Sequence, residues 1–462
     1  MEASVTERLR LIDLLGSAVL SMASLAFVQC NSDDNSSNNT GGDAGSQDEG
    51  GGGGGGSAAG GTAGVGTAGG DAAGAGGQAG GEAELAHHLY VGCRDKSGSI
   101  QHYRIGSESG AVALEDTAQA NATTSNFATN AAETLVYIAH ADEGRISTFS
   151  RDPETGVLTL EDFVAVPGNA EGEAGAQLPF NVDCVDAQNP NGPTNPATQT
   201  LTLTPGEDFL IASNWCANTV LVYEINADGT VGDLSQTVID GAKSHHAIFN
   251  STGEFVLVPY FGSDFIAAYR FDGATGMLSP VAPLTTPVPE AAGSSGPRHL
   301  AFHPTETTWV YSINETGGSI SFFHFDETDG TLAHQETISS LPDDSPFTVE
   351  GKNRSGSEIE IDRSGRFLYV SNRVDGQANG SIGVFSIAED DGKLTPVEWE
   401  DTGGATPRHF SLSPDGKLLV VTNQGSDNMS VFTVDQDTGE LDLVKTTDVC
   451  EVPFFARMIA PK

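Results

Sequence analysis

The chain has 462 residues, with 21 Lys and Arg against 63 Asp and Glu, for a formal charge of -42. A surface of that sign repels nucleic-acid phosphates and anionic lipid, so polyanion binding is excluded and any cluster of arginines stands out as a place where a small anion could sit. The five cysteines contain no CxxC pair, which argues against a zinc site.

Residues 1–30 read as an export signal. Arg8 and Arg10 head an apolar run from Leu11 to Val28, interrupted by Asp13 and closing in LAFVQC. The run is too short and too poorly flanked for a membrane span. LAFVQC resembles a bacterial lipoprotein signal, which implies lipidation at Cys30 and contact with a membrane only through that lipid. Residues 31–84 hold 21 glycines among the 41 residues from Gly41 to Gly81, a composition that cannot bury a core and reads as a flexible tether. The expected location is outside the cytoplasm: a bacterial lipoprotein at the periplasmic or cell surface, or otherwise a secreted protein.

From residue 85 onward one pattern recurs. Apolar strands ending in a polar residue appear as LYVGCR94, LVYIAH140, FLIASN214, FVLVPY260, WVYSIN314, FLYVSN372 and LLVVTN423. Most are followed by a turn, a third strand such as SISFFHF or SIGVFSI, and a fourth strand introduced by a turn such as PETG, GATG, EDDG or QDTG. Repeats of forty to fifty residues with four strands each predict an all-β fold, a seven-bladed β-propeller of four-stranded antiparallel blades over 85–462. The first copy lacks its innermost strand, and the chain ends in VPFFARMIA, so residues 453–460 are expected to complete blade one and close the ring. The long interval between His140 and Asn214 predicts an insertion at about 167–198.

The same register places Cys93, Cys450, Cys184 and Cys216 on one rim. Cys93 with Cys450 would lock the closure, and Cys184 with Cys216 would staple the insertion; unpaired buried thiols are the competing reading.

Propeller chemistry gathers where innermost strands begin and where second strands end. Six residues before the first hairpin turn stand His245, Arg298, Ser357 and Arg408 in four successive blades, and directly after the second strand stand Trp215, Phe261, Glu315 and Arg373. Arginine forks bind carboxylate or phosphate and stabilise negative charge developing on a carbonyl oxygen. A histidine and a glutamate beside them can move a proton. The bland alternative is that these groups pair with one another and simply close the channel. His246, His299 and His409 occupy next-door positions and, by strict strand alternation, are expected to pack on the opposite face. His299 and His303 have the spacing of a helical metal pair, but four residues along a strand is roughly 13 Å, too far to share a metal. No phosphate loop follows the Gly51–Gly56 run and no GxSxG elbow occurs.

GPRHLAFHP, YSINE, SEIEIDRSGRFLYVSNR, TPRHFSLSPDGKLLVVTNQGSDNMSVFTVDQDTGEL and the closing VPFF resemble the seven-bladed β-propeller lactonases, a family that includes bacterial 6-phosphogluconolactonases of the propeller type and fungal carboxy-cis,cis-muconate cyclases. The resemblance is specific from about His245 to the C-terminus and weaker from Leu89 to Asn214. It implies a lactone hydrolase or a lactonising cyclase, with active-site groups at His245, Arg298, Glu315 and Arg373. Arg408, Ser357 and His246 would then contact substrate; KSHH leaves either His245 or His246 as the residue entering the channel. The expected partner is a small anionic lactone or related organic acid, handled by a monomer without cofactor or metal. A non-catalytic surface propeller that binds a glycan or protein is the alternative.

Overall fold

The computed structural model describes residues 85–95, 98–167, 198–290, 293–342, 354–374 and 379–461. The export signal with Cys30, the tether, and most of the insertion with Cys184 lie outside the described residues. Those described form seven four-stranded antiparallel sheets. The innermost strand of blade one is the C-terminal Pro453–Ile459, which pairs with Leu85–Cys93; blades two to seven begin with Asn126–Thr129, Thr198–Leu203, Ile248–Phe249, Pro297–Phe302, Arg354–Ile361 and Pro407–Leu412. The first blade is thus built from both ends of the propeller, as expected from VPFFARMIA. Cys93 and Cys450 form a disulfide with a Cα–Cα distance of 5.9 Å across that closure. Cys216 is buried on the same rim.

Why these segments stack follows from their side chains. Second strands such as Phe209–Asn214, Trp309–Asn314 and Leu418–Asn423 are buried at every position, whereas outermost strands such as Leu441–Asp448 alternate toward solvent. β-Branched and aromatic residues project from both faces of the inner strands into neighbouring sheets, so the core is divided into seven apolar clusters, one at each blade–blade contact.

A polar staple repeats across these contacts. The hydroxyls of Tyr90, Tyr137, Tyr311 and Tyr369 each donate to the carbonyl of a turn glycine in the next blade, Gly156, Gly229, Gly392 and Gly439, at 2.6–3.0 Å. The glycine is required there because φ is positive, +72° at Gly392, and a Cβ would meet the ring of Phe322 at 2.5 Å. The recurrent turn before each fourth strand is therefore also an acceptor for the neighbouring blade.

The innermost strands share one irregularity that positions the site. Pro297 faces Asn314 and His299 faces Ile313, leaving Arg298 as an extra residue; Arg408 is the extra residue between Pro407 and His409, Gln199 between Thr198 and Thr200, and Phe454 between Pro453 and Phe455. Blade six carries one extra residue between Gly356 and Ile359, where Ser357 and Glu358 face Ser371. Blade four has one between Ser244 and Ile248. These are β-bulges, which interrupt alternation and re-aim side chains. The register also corrects the first repeat. Cys93, not Arg94, occupies the position of Asn314 and Asn423, each facing the proline that opens the innermost strand. Arg94 thereby joins Glu315 just beyond the second strand, at the position that Arg373 occupies at the end of its longer strand Phe367–Val374.

Opening the closure tests its weight. Cys93→Ser and Cys450→Ser should each lower the unfolding free energy by about 2–5 kcal/mol in denaturant titrations. Equal stability of wild type and variants under oxidising conditions would show that the strand pairing alone holds the ring.

Candidate active site

At one mouth of the channel the bulged residues form a polar cleft. His245, Arg298, Arg408 and Gln199 line it with Ser125, Asn126, Thr200 and Phe454, and so do His299 and His409. The last two differ from the expectation of opposite-face packing. Each directly follows a bulged arginine, and the bulge removes the alternation on which that expectation rested.

Arg298 and Glu315 enter from the first and second strands of the same blade, whose antiparallel pairing brings them to one rim. Arg298 Nε lies 3.0 Å from Glu315 Oε2, and Arg373 Nη2, from the next blade, lies 2.8 Å from Glu315 Oε1. Arg298 is almost fully buried and also donates from Nη1 to the Ser357 carbonyl at 2.5 Å. Arg373 donates to Ser355 Oγ at 2.7 Å and to the Gly356 carbonyl at 3.0 Å. Burial alone would raise the Glu315 carboxyl, but Arg373, Arg298 and Arg408 outweigh it and hold the group below the ordinary value. Glu315 is therefore an ionised anchor for two guanidinium groups. Burial and the neighbouring Arg373 lower Arg298 to about 10, which leaves it charged at neutral pH.

Arg408 is arranged differently. Its guanidinium lies 3.6 Å above the centre of the Phe454 ring, whose other cationic neighbour is Arg94 at 5.3 Å. Arg94 is paired with Asp142. Among the described residues Arg408 has no ion-pair partner, and burial together with Arg298 and Arg373 disfavours its charge. A bound anion would relieve that repulsion.

His245 lines the cleft, while its neighbour His246 does not and instead accepts the Leu300 N–H at Nδ1, 3.2 Å away. Nδ1 of His245 is buried without a hydrogen-bond partner among the described residues. Ser357 is fully buried and donates from Oγ to the Arg408 carbonyl at 2.5 Å, so it braces the bulge of the next blade. Trp215 and Phe261, at the position of Glu315 and Arg373, hold Lys243, whose Nζ lies 4.2 Å from the Trp215 ring centre.

Glu358 was not singled out from the sequence. One carboxylate oxygen lies 2.8 Å from His299 Nδ1, and the other lies 3.2 Å from His409 Nε2. The signal lies one position past the bulge: successive blades carry His246, His299, Glu358 and His409 there.

The family described as lactonase, 7-bladed beta-propeller matches residues 70–170 and 183–457. The chain belongs to the seven-bladed β-propeller lactonase family. Among lactonase relatives, the 6-phosphogluconolactonase of Yersinia enterocolitica is 28% identical over 345 residues, covering 71% of this chain and 99% of the relative. That of Bacillus subtilis is 28% identical over 372 residues, covering 78% and 94%. The crystal structure of the periplasmic gluconolactonase of Pseudomonas aeruginosa superposes on this lactonase propeller with a TM-score of 0.69 at 22% identity, over 82% of this chain and all of the other.

The buried imidazoles give the site a pH signature. Burial lowers His246 to about 3 and His409 to about 4 against an opposing pull from Glu358, and burial followed by Arg298 holds His245 and His299 well below 6.5. Unfolded, these rings take up protons near pH 6.5; folded, they do so only at lower pH. Their contribution is fully present above about pH 6.5 and is lost as pH falls toward 4, at about 1.4 kcal/mol per pH unit for each proton withheld. Urea midpoints should therefore fall between pH 7.5 and 5. Equal midpoints would mean that the rings are protonated in the native state.

Proposed function

We propose that this protein hydrolyses a lactone carrying an acidic substituent, such as a phosphorylated or carboxylated sugar lactone. The observation that carries the reading is Arg408, a guanidinium facing the cleft over Phe454 with no ion-pair partner among the described residues, beside Arg298 whose own carboxylate, Glu315, lies on the rim. Membership of the lactonase family and relatives named 6-phosphogluconolactonase support the reaction class.

In this reading Arg408 receives the acidic substituent. Arg298, locked by Glu315 and the Ser357 carbonyl, polarises the lactone carbonyl and stabilises the oxyanion that forms on it. Because the donor is oriented before substrate arrives, little reorganisation accompanies the attack. Arg373 shares Glu315 and thereby fixes its direction. His245, neutral at pH 7, offers a ring nitrogen to the substrate from the neighbouring blade, edge-on to His299. Run in reverse, the same groups would close a hydroxy acid onto its own hydroxyl with release of water.

A panel of lactones with and without phosphate or carboxylate tests the proposal. Arg298→Ala should lower kcat by about 10²- to 10³-fold, the usual loss for one oxyanion donor. Arg408→Ala should raise KM chiefly for the acidic lactones and erase the preference for them. Unchanged turnover in Arg298→Ala would sink the assignment.

The N-terminal sequence supports a location outside the cytoplasm, with Cys30 as lipid attachment point. Cys30→Ser should move the full-length protein from the membrane fraction to the soluble fraction; retention in the membrane fraction would refute a lipid anchor at this residue.

A further inference from the structure

The reaction needs a group that takes a proton from water, and neither Glu315 nor His245 is built for it. Glu315 is ionised between two guanidiniums, which reduces its affinity for a proton. His245 has no carboxylate to orient it, and its Nδ1 is unpartnered among the described residues. Resting on the lactone-hydrolase reading, we infer that His299, oriented by Glu358, is the water-activating base of this site.

Four observations converge on His299. The ring lines the cleft. Nδ1 lies 2.8 Å from Glu358 Oε1, and a carboxylate accepts only, so Nδ1 carries the hydrogen and Nε2 is left as the basic nitrogen. Nε2 lies 3.5 Å from Arg298 Nη1, at the long limit of a hydrogen bond. A water held by Nε2 would thus stand beside the guanidinium that polarises the carbonyl. Fourth, the His245 ring meets His299 edge-on with centroids 5.0 Å apart, which fixes the plane of the imidazole. His409 shares the same carboxylate from the far side and limits its rotation.

The charges around His299 favour its neutral form before reaction. Arg298 stands on its own strand, Arg408 on the inner strand two blades on, and Arg373 beyond them; all three oppose a further positive charge, and burial adds to this. Glu358 favours the imidazolium, and Glu315 is already neutralised by its arginines. The neighbouring rings of His245, His246 and His409 are themselves held neutral. The base is therefore free to accept at neutral pH, and the oxyanion that develops beside it adds a second negative charge to that of Glu358.

The step balances without a co-reactant. Water oxygen bonds to the carbonyl carbon while one proton passes to His299 Nε2, and the carbonyl electrons move onto oxygen facing Arg298. When the tetrahedral intermediate collapses, the bond from carbon to ring oxygen breaks and His299 returns the proton to that oxygen. One water and one lactone give one hydroxy acid.

The test pairs His299→Gln with Glu358→Gln on an acidic lactone that the wild type turns over. His299→Gln should lose about 10²- to 10⁴-fold in kcat with KM little changed. Glu358→Gln should lower the plateau by about 10- to 100-fold and move the acid limb of kcat/KM to lower pH, because the imidazolium has lost its counter-charge. The double variant should be no worse than His299→Gln alone. Glu360, half-buried on the same strand as Glu358 and raised to about 7 by desolvation, would add a limb of its own, which the Glu360→Gln profile identifies. Nitrogen-15 NMR of the wild-type imidazoles reads the tautomer without any variant: His299 should carry its proton on Nδ1. Full kcat in folded His299→Gln, or the Nε2–H tautomer in the wild type, overturns the inference while leaving the lactonase reading intact. Loss of activity only in Arg298→Ala and Arg408→Ala would do the same. Absence of lactone turnover by the wild type overturns both.

Discussion

One extra residue near the start of the innermost strands organises the site. Without the bulge, each inner strand would offer the channel one side chain in two, and Arg298 and His299 would point to opposite faces of their blade. With it, adjacent residues reach the same cleft in the fifth and seventh blades, and an extra residue also stands in the inner strands of blades one, three, four and six, Phe454 and Gln199 among them. A bulge costs a ladder hydrogen bond locally. That loss is offset where the displaced backbone finds another partner: the Ser357 carbonyl accepts from Arg298, and the Arg408 carbonyl accepts from Ser357 Oγ. Neighbouring bulges thus brace each other, and the cleft-lining Arg298 and Arg408 are part of the bracing.

This coupling explains why the site sits on the side of the ring it does. Arg298, Ser357 and Arg408 belong to consecutive blades, and Glu315 and Arg373 bridge the first two of them. The opposing wall carries smaller or uncharged groups, Ser125, Asn126, Gln199 and Thr200. Charge is concentrated on one half of the cleft and hydrogen-bonding capacity on the other, an arrangement that suits a ligand with one anionic end and several hydroxyls.

The blade architecture was legible because it rests on local chemistry repeated seven times. The Asn-ended second strands, the turn glycines and the closing VPFF each carry their own structural reason, and the closure disulfide follows once the last strand is placed in blade one. Register near the axis was legible only in part. Counting back from the hairpin turn selected Arg298 and Arg408 correctly as equivalent residues, because each of the four repeats compared contains one extra residue and the count is insensitive to it. The orientation of His299 and His409 was not legible, since a bulge leaves no residue signature comparable to a turn glycine. Glu358 was missed for the same reason: in SEIEID it reads as one of several acidic residues, and only its place between two histidines distinguishes it.

The acidity of the chain must also be reconciled with the proposed anionic ligand. A formal charge of -42 would seem to forbid approach. Exposed charges are, however, screened beyond about 8 Å at physiological ionic strength, so most of them are not felt inside the cleft. What remains there is Arg298, Arg373 and Arg408 against Glu315 and Glu358: three positive groups and two negative ones in surroundings that screen poorly. The unpaired excess resides on Arg408, the one guanidinium of the three without a protein carboxylate in ion-pair range among the described residues. The acidic surface then works as a filter rather than a barrier. Large polyanions, which span many Debye lengths, would be repelled, whereas the single small anion proposed above would meet the local excess at Arg408 once within the channel mouth.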